Sequence, residues 1–170
     1  MTPQIPIEIE RKFLIRFPDI SFLRSLGGIR IKNITQTYLK TTDGSTARVR
    51  RIDEAKTTTY VKTVKNKISE LSHYEDEREI DAEQYNNELK NADSEKLPII
   101  KTRYAFPFDA HTVEIDVYPF WSDRAILEIE MQSESEDISI PEFIDVIKEV
   151  SNDARYKNTN LALCIPLDEI

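Results

Sequence analysis

Ile7-Glu8-Ile9-Glu10-Arg11-Lys12-Phe13 is the stretch on which the fold turns. An extended strand sends successive side chains to opposite faces, so Glu8, Glu10 and Lys12 share one face, and Ile7, Ile9, Arg11 and Phe13 the other. Alone, such a strand is an ordinary solvated edge. The spacing recurs, however, in Arg48 and Arg50, Glu77 and Glu79, Lys101 and Arg103, Glu114 and Asp116, and Glu128 and Glu130. The bases Lys12, Arg48, Arg50, Lys62, Lys101 and Arg103 nearly balance the acids in this set. Charge of both signs on one face of almost every strand is the pattern of a closed sheet whose strands line a shared interior.

Working outward, the first strand spans Ile5 to Ile15 and is followed by a short helix within Phe17 to Leu26, with Pro18 and Asp19 ahead of Phe22, Leu23 and Leu26, and Gly27-Gly28 as its stop. Further strands are expected over Ile29–Lys40, Thr46–Ile52, Lys56–Lys65, Leu71–Ile80, Pro98–Phe106, Thr112–Tyr118 and Ala125–Met131, with Thr42-Asp43-Gly44 and Asp53-Glu54-Ala55 as turns. In the strand Lys56–Lys65, Lys62 is the charge placed inward. Asp81 caps a helix from Ala82 to about Asn91, with Tyr85 and Leu89 as its apolar stripe, and a last helix is expected over Pro141–Val150, burying Phe143, Ile144 and Ile147. Eight short strands with hairpin turns and few helices favour a predominantly β fold, a closed eight-stranded antiparallel barrel with a few flanking helices and a C-terminal helix.

Composition narrows the function. The 170 residues suit one domain, 1–170. No apolar run reaches the roughly 20 residues of a membrane span, and no basic-then-apolar leader opens the chain, so a soluble, cytoplasmic protein is expected. The formal net charge of −8 argues against a nucleic-acid binder, since the phosphate backbone rewards surplus Lys and Arg. The single cysteine, Cys164, rules out an internal disulfide and reads as buried filler in Leu161-Ala-Leu-Cys164-Ile. His73 and His111 have no spaced metal-ligating partners and read as surface positions. Trp121 reads as a loop aromatic packed on the barrel end rather than a platform for an organic ring. Acids at one end of the lumen that hold a divalent metal, with Lys and Arg cradling phosphates, is the division of labour that phosphoryl-transfer chemistry needs.

The ordered set Glu8-x-Glu10-x-Lys12, Gln36-x-Tyr38, Arg48-x-Arg50, Lys62, Glu77-x-Glu79, Lys101-x-Arg103, Glu114-x-Asp116, Glu128-x-Glu130 and Asp153-x-Arg155-Tyr156-x-Asn158 resembles the CYTH domains, or triphosphate tunnel metalloenzymes, over almost the whole chain. Ile9-Glu-Arg-Lys-Phe-Leu14, Lys101-Thr-Arg-Tyr104 and Arg155-Tyr-Lys-Asn158 look especially like the compact bacterial members that hydrolyse inorganic triphosphate. The resemblance implies an eight-stranded tunnel, a Mg²⁺- or Mn²⁺-dependent triphosphate site within it, and a C-terminal helix at one mouth. It implies roles as well. Glu8, Glu10, Glu128 and Glu130 are the metal carboxylates, and Lys12, Arg48, Arg50, Lys62 and Arg103 form the phosphate cradle, with Arg155 reaching in from the tail. Lys101 orients or deprotonates the attacking water; Glu77, Glu79, Glu114 and Asp116 support the cations or contact a second metal; Tyr38 borders the plug. Inorganic triphosphate is the expected substrate of a monomer or homodimer. A class IV-type adenylate cyclase, a thiamine- or nucleoside-triphosphatase and a non-catalytic polyphosphate-binding module are the alternatives.

Overall fold

The structure is a computed structural model that describes residues 6–170. Nine strands form one antiparallel sheet: β1 (Ile7–Arg16), β2 (Arg30–Leu39), β3 (Thr46–Glu54), β4 (Thr57–Lys67), β5 (Ser72–Ile80), β6 (Ile99–Phe108), β7 (His111–Val117), β8 (Arg124–Glu130) and β9 (Val146–Glu149). The order is β5-β4-β3-β2-β6-β7-β8-β1-β9, and a further β1–β5 ladder closes the first eight into the expected barrel. The expected start of the first strand at Ile5 lies outside the described residues.

Closure is uneven around the ring. On one edge β1 pairs with β8 continuously from Glu10 to Arg16. On the other, Ile7, Glu8 and Ile9 face Tyr74, His73 and Ser72 of β5, after which β9 takes over opposite Phe13, Leu14 and Ile15. β9 is where the structure departs from the sequence reading, which expects a helix over Pro141–Val150. The chain turns after Pro141 and then extends. Beyond Ile9 the β1 edge would carry unpaired backbone groups, and Val146, Lys148 and Glu149 pair with it as a strand, with Ile147 at a bulge, so tertiary pairing overrides the local apolar spacing. Phe143, expected in the core, is consequently exposed.

Among the described residues three α-helices decorate the barrel: α1 (Ile20–Ser25), α2 (Ala82–Glu88) and the single-turn α3 (Asn158–Leu161), which takes the C-terminal place. Asp19 caps α1 by accepting from Phe22 N–H, and Asp81 and Gln84 form a reciprocal capping box at α2. After α1 the chain must turn back tightly against β6. Gly28 does so at φ +73°, where a Cβ would also press on the Pro107 ring at 3.2 Å. None of the helices of the described residues is long and apolar enough to cross a membrane.

The apolar side chains fall into three packed groups, and these fix which face of each strand is inside. Phe13, Ile15, Tyr104, Phe106, Val113, Ile115, Ala125, Leu127 and Ile129 coat the outer wall beneath Leu23 of α1. Leu39, Ala47 and Val49, with Tyr60 and Val64, coat the outer wall beneath Tyr85 and Leu89. The third group lies within one end of the barrel: Leu14, Tyr38, Ile99, Tyr118 and Ile126 continue the lumen-facing rows and pack against Trp121, Val150, Tyr156, Leu161 and Ala162. The C-terminal segment therefore stoppers that end, and Trp121 belongs to the stopper as expected. Cys164, expected to be buried, is exposed just beyond α3.

Candidate active site

Because the outer wall takes one apolar side chain at every second position, the intervening residues of each strand line the lumen. Cross-strand register then sets them side by side. Glu10 faces Glu130 and Lys12 faces Glu128 between β1 and β8, Glu128 faces Glu114 on β7, and Asp116 faces Arg103 on β6. Arg48 and Arg50 of β3 stand opposite Tyr38 and Gln36 of β2.

One wall is a dense ion-pair lattice. Lys12 Nζ lies 2.8 Å from Glu128 and 3.7 Å from Glu10. Arg103 donates to both Asp116 oxygens at 2.6 and 2.7 Å, to Glu128 at 2.6 Å, and to Glu114. Lys101 Nζ is 2.5 Å from Asp116, and both side chains are almost wholly buried. Burial and the neighbouring Arg103 charge together outweigh that contact and bring the Lys101 pKa down to about 8. Glu128 behaves oppositely: burial works to raise it, but Lys12 and Arg103 hold it well below the usual carboxylate range.

The facing wall is cationic. Arg50 donates to Glu77 at 2.5 Å, with Thr63 also accepting from it. Burial, then the Arg48 charge, lowers its pKa to about 10. Arg48 donates to Gln36 Oε1 at 3.2 Å. Where β5 meets β1, Lys65 bridges Glu8 and Glu75, the latter at 2.8 Å.

Glu130 has no cationic partner among the described residues, and the carboxylates of Glu8, Glu10, Glu75 and Glu114 gather around it. Burial first, then the charges of Glu8, Glu114, Glu75 and Glu10, raise the Glu130 pKa. Glu10 is likewise raised, by burial and by Glu128. Hard oxygen donors carrying unrelieved like charge fit a divalent cation. Among the described residues no three acidic or imidazole side chains stand in a coordinating arrangement. Glu8, Glu10 and Glu130 offer the hard oxygen donors a divalent cation takes, Glu8 in exchange for its bond to Lys65, while Glu128 is held more tightly, by both Lys12 and Arg103.

Two expected cradle residues are elsewhere. Lys62 shares its face with Tyr60 and Val64 on the outer wall and pairs with Glu88 of α2 at 2.5 Å. The inward lysine of β4 is Lys65, three residues on. The apolar Tyr60-x-Lys62-x-Val64 row was the available signal that this face belongs outside. Arg155 is exposed and bonds Asp153 at 2.7 Å and Asp168 at 3.1 Å, away from the lumen, because its own capping residue and the tail offer nearer carboxylates. Glu77 lies inward on Arg50, Glu79 is solvent-exposed, and Glu75, outside the expected set of supporting acids, lies deeper than either. His73, read as a surface position, is partly buried opposite Glu8.

A model of the CYTH domain matches residues 6–162. The chain is 36% identical over 166 residues to an inorganic triphosphatase of Nitrosomonas europaea, covering 94% of this chain and 99% of that protein. It is 35% identical over 100 residues to an inorganic triphosphatase of Acetivibrio thermocellus, covering 58% of this chain and 62% of that one. A crystal structure of an inorganic triphosphatase superposes with a TM-score of 0.57 at 34% identity, covering 94% of this chain and 96% of that one.

Proposed function

We propose, from the premise that this chain belongs to the CYTH domain family, that it is a metal-dependent hydrolase that splits inorganic triphosphate into pyrophosphate and orthophosphate. The observation that carries this reading is the lumen itself: a stoppered barrel whose inner rows combine cations on facing walls with a group of carboxylates. A polyanion without any organic part gives each of those cations a phosphate oxygen and asks for no apolar contact.

In this reading Arg48, Arg50, Lys12, Lys65 and Arg103 orient the phosphate chain and offset the charge that builds on the leaving group. Glu8, Glu10 and Glu130 would hold the divalent ion, Mg²⁺ or Mn²⁺, which would supply Lewis acidity when bound. Glu128, Glu114, Asp116 and Glu77 hold the cations in place. Neutral Lys101 accepts a proton from water as its oxygen attacks a terminal phosphorus. The P–O bond to the bridging oxygen breaks, pyrophosphate leaves and orthophosphate forms. A lysine with a pKa near 8 is partly neutral at mildly alkaline pH, which the role requires.

The test is a panel of inorganic triphosphate, ATP and thiamine triphosphate with Mg²⁺ or Mn²⁺, reading orthophosphate, pyrophosphate and cyclic nucleotide separately. Inorganic triphosphate should be the best substrate. Cyclic AMP as the product, or a strong preference for ATP, would replace this reading.

A further inference from the structure

Of the buried and partly buried lumen cations Lys12, Arg48, Arg50, Lys65, Lys101 and Arg103, all but Arg48 have a carboxylate within 4 Å among the described residues. Any phosphate that binds the other five must displace or share an acid already bonded to the cation. Arg48 has neutral neighbours instead. It donates Nη1 to Gln36 Oε1 at 3.2 Å and stands directly across from Tyr38, whose hydroxyl in turn accepts from Gln36 Nε2 at 2.8 Å. Gln36 is completely buried, and Tyr38 is packed into the apolar stopper with Tyr156 and Leu161. Arg48 Nε is buried with no partner.

We infer that Gln36, held in place through Tyr38 by the C-terminal stopper, is a positioning residue that orients Arg48 while leaving it free of any bonded carboxylate, making Arg48 the first anchor for the phosphate chain. This deepens the triphosphatase reading and rests on it. The choice of an amide is what matters here. A carboxylate at position 36 has the same shape and accepts the same hydrogen bond, but it would form an ion pair with Arg48 and also meet Arg50, its direct cross-strand neighbour. A leucine removes the acceptor and leaves the charge free. The two substitutions therefore separate charge capture from loss of orientation or of packing.

The experiment measures binding of inorganic triphosphate by calorimetry, hydrolysis under the same conditions, and thermal melting of the unliganded protein, for wild type, Gln36→Glu and Gln36→Leu. Charge-assisted hydrogen bonds are strong enough that Gln36→Glu should weaken binding on the order of tenfold or more, with a larger rise in KM than fall in kcat and with no loss of melting temperature. Gln36→Leu should weaken binding less. Wild-type affinity in Gln36→Glu, or a leucine variant at least as impaired as the glutamate one, overturns the inference. Wild-type protein that binds triphosphate without hydrolysing it would instead overturn the proposed function, leaving the order of the two variants to judge the role of Gln36.

Discussion

Replacing Lys101 by methionine keeps the length of the side chain and removes its titration, and the consequence can be worked from the site. At about pH 7 the ammonium is protonated in the folded and the unfolded chain alike. Burial and the charge of Arg103 bring its folded pKa from the ordinary lysine value of 10.5 to about 8. Between those two values the unfolded chain still holds a proton that the folded chain has released. Folding stability contributed by this residue therefore rises with pH across the window, by about 1.4 kcal/mol per unit and about 3 kcal/mol in all. The variant lacks that contribution, and subtraction removes the other groups, including Lys12, whose pKa is pushed up by Glu128 and Glu10 against the effect of burial. Urea unfolding of both proteins at a series of pH values should show the wild type gaining about 3 kcal/mol on the variant from about pH 7.5 to 10.5. In the same window kcat/KM for inorganic triphosphate should climb around pH 8 in the wild type, and in Lys101→Met fall by about 10²- to 10⁴-fold and lose that limb. A stability difference that does not change with pH refutes the buried-ammonium account, and a wild-type pH-rate profile in the variant removes Lys101 from water activation.

Chelation should abolish hydrolysis, and Glu130→Gln should weaken divalent-ion binding measured by calorimetry while raising the melting temperature of the metal-free protein, because it relieves repulsion with Glu8, Glu114, Glu75 and Glu10; full activity in excess chelator would contradict it. Arg50→Met should raise KM for triphosphate yet change unfolding free energy by no more than about 1 kcal/mol, because the half-exposed Glu77 that it leaves is hydrated and the repulsion with Arg48 is gone; wild-type kinetics would return Arg50 to a purely structural part. Lys62→Ala should cost about 1 kcal/mol or less in urea unfolding and leave KM unchanged, since its partner is Glu88 on the outer wall; a substantial rise in KM would mean that Lys62 reaches the lumen after all.

The barrel was legible because period-two charge is incompatible with a helix and recurs too regularly for an exposed sheet. Glu10 and Lys12 of β1, Arg48 and Arg50 of β3, Lys101 and Arg103 of β6, Glu114 and Asp116 of β7 and Glu128 and Glu130 of β8 lie inward for that reason. Register failed at β4, where Lys62 and Lys65 lie on opposite faces and either fits a charged row. The charges alone do not decide between them; the apolar Tyr60-x-Lys62-x-Val64 row and the cross-strand pairing of Lys65 with Glu75 do. The segment Pro141–Val150 failed similarly, since the vacant edge of β1 is invisible in the local spacing of Phe143, Ile144 and Ile147. Gln36 stood in the motif without a role because an amide declares no charge. Its importance comes from what it leaves unpaired.

The change of partner along β1 has a mechanical consequence. Between Ile9 and Phe13 neither neighbouring strand supplies a continuous ladder on that edge. Glu10 N–H goes to the Leu71 carbonyl at the hairpin tip, Lys12 N–H to the Ser151 hydroxyl, and the Lys12 carbonyl takes Val150 N–H. The barrel is thus a cuff fastened at one place, and the fastening is stitched beside Glu8, Glu10 and Lys12. Letting out its circumference there breaks a few hydrogen bonds, each with a net worth of about 1 kcal/mol, whereas widening it between β1 and β8 means unzipping a ladder from Glu10 to Arg16. Lys65 spans that fastening from β4 and β5 to Glu8 on β1. An anion that draws Lys65 away from Glu8 therefore removes one of the contacts across the fastening and leaves the short Ile7–Ile9 ladder to hold it.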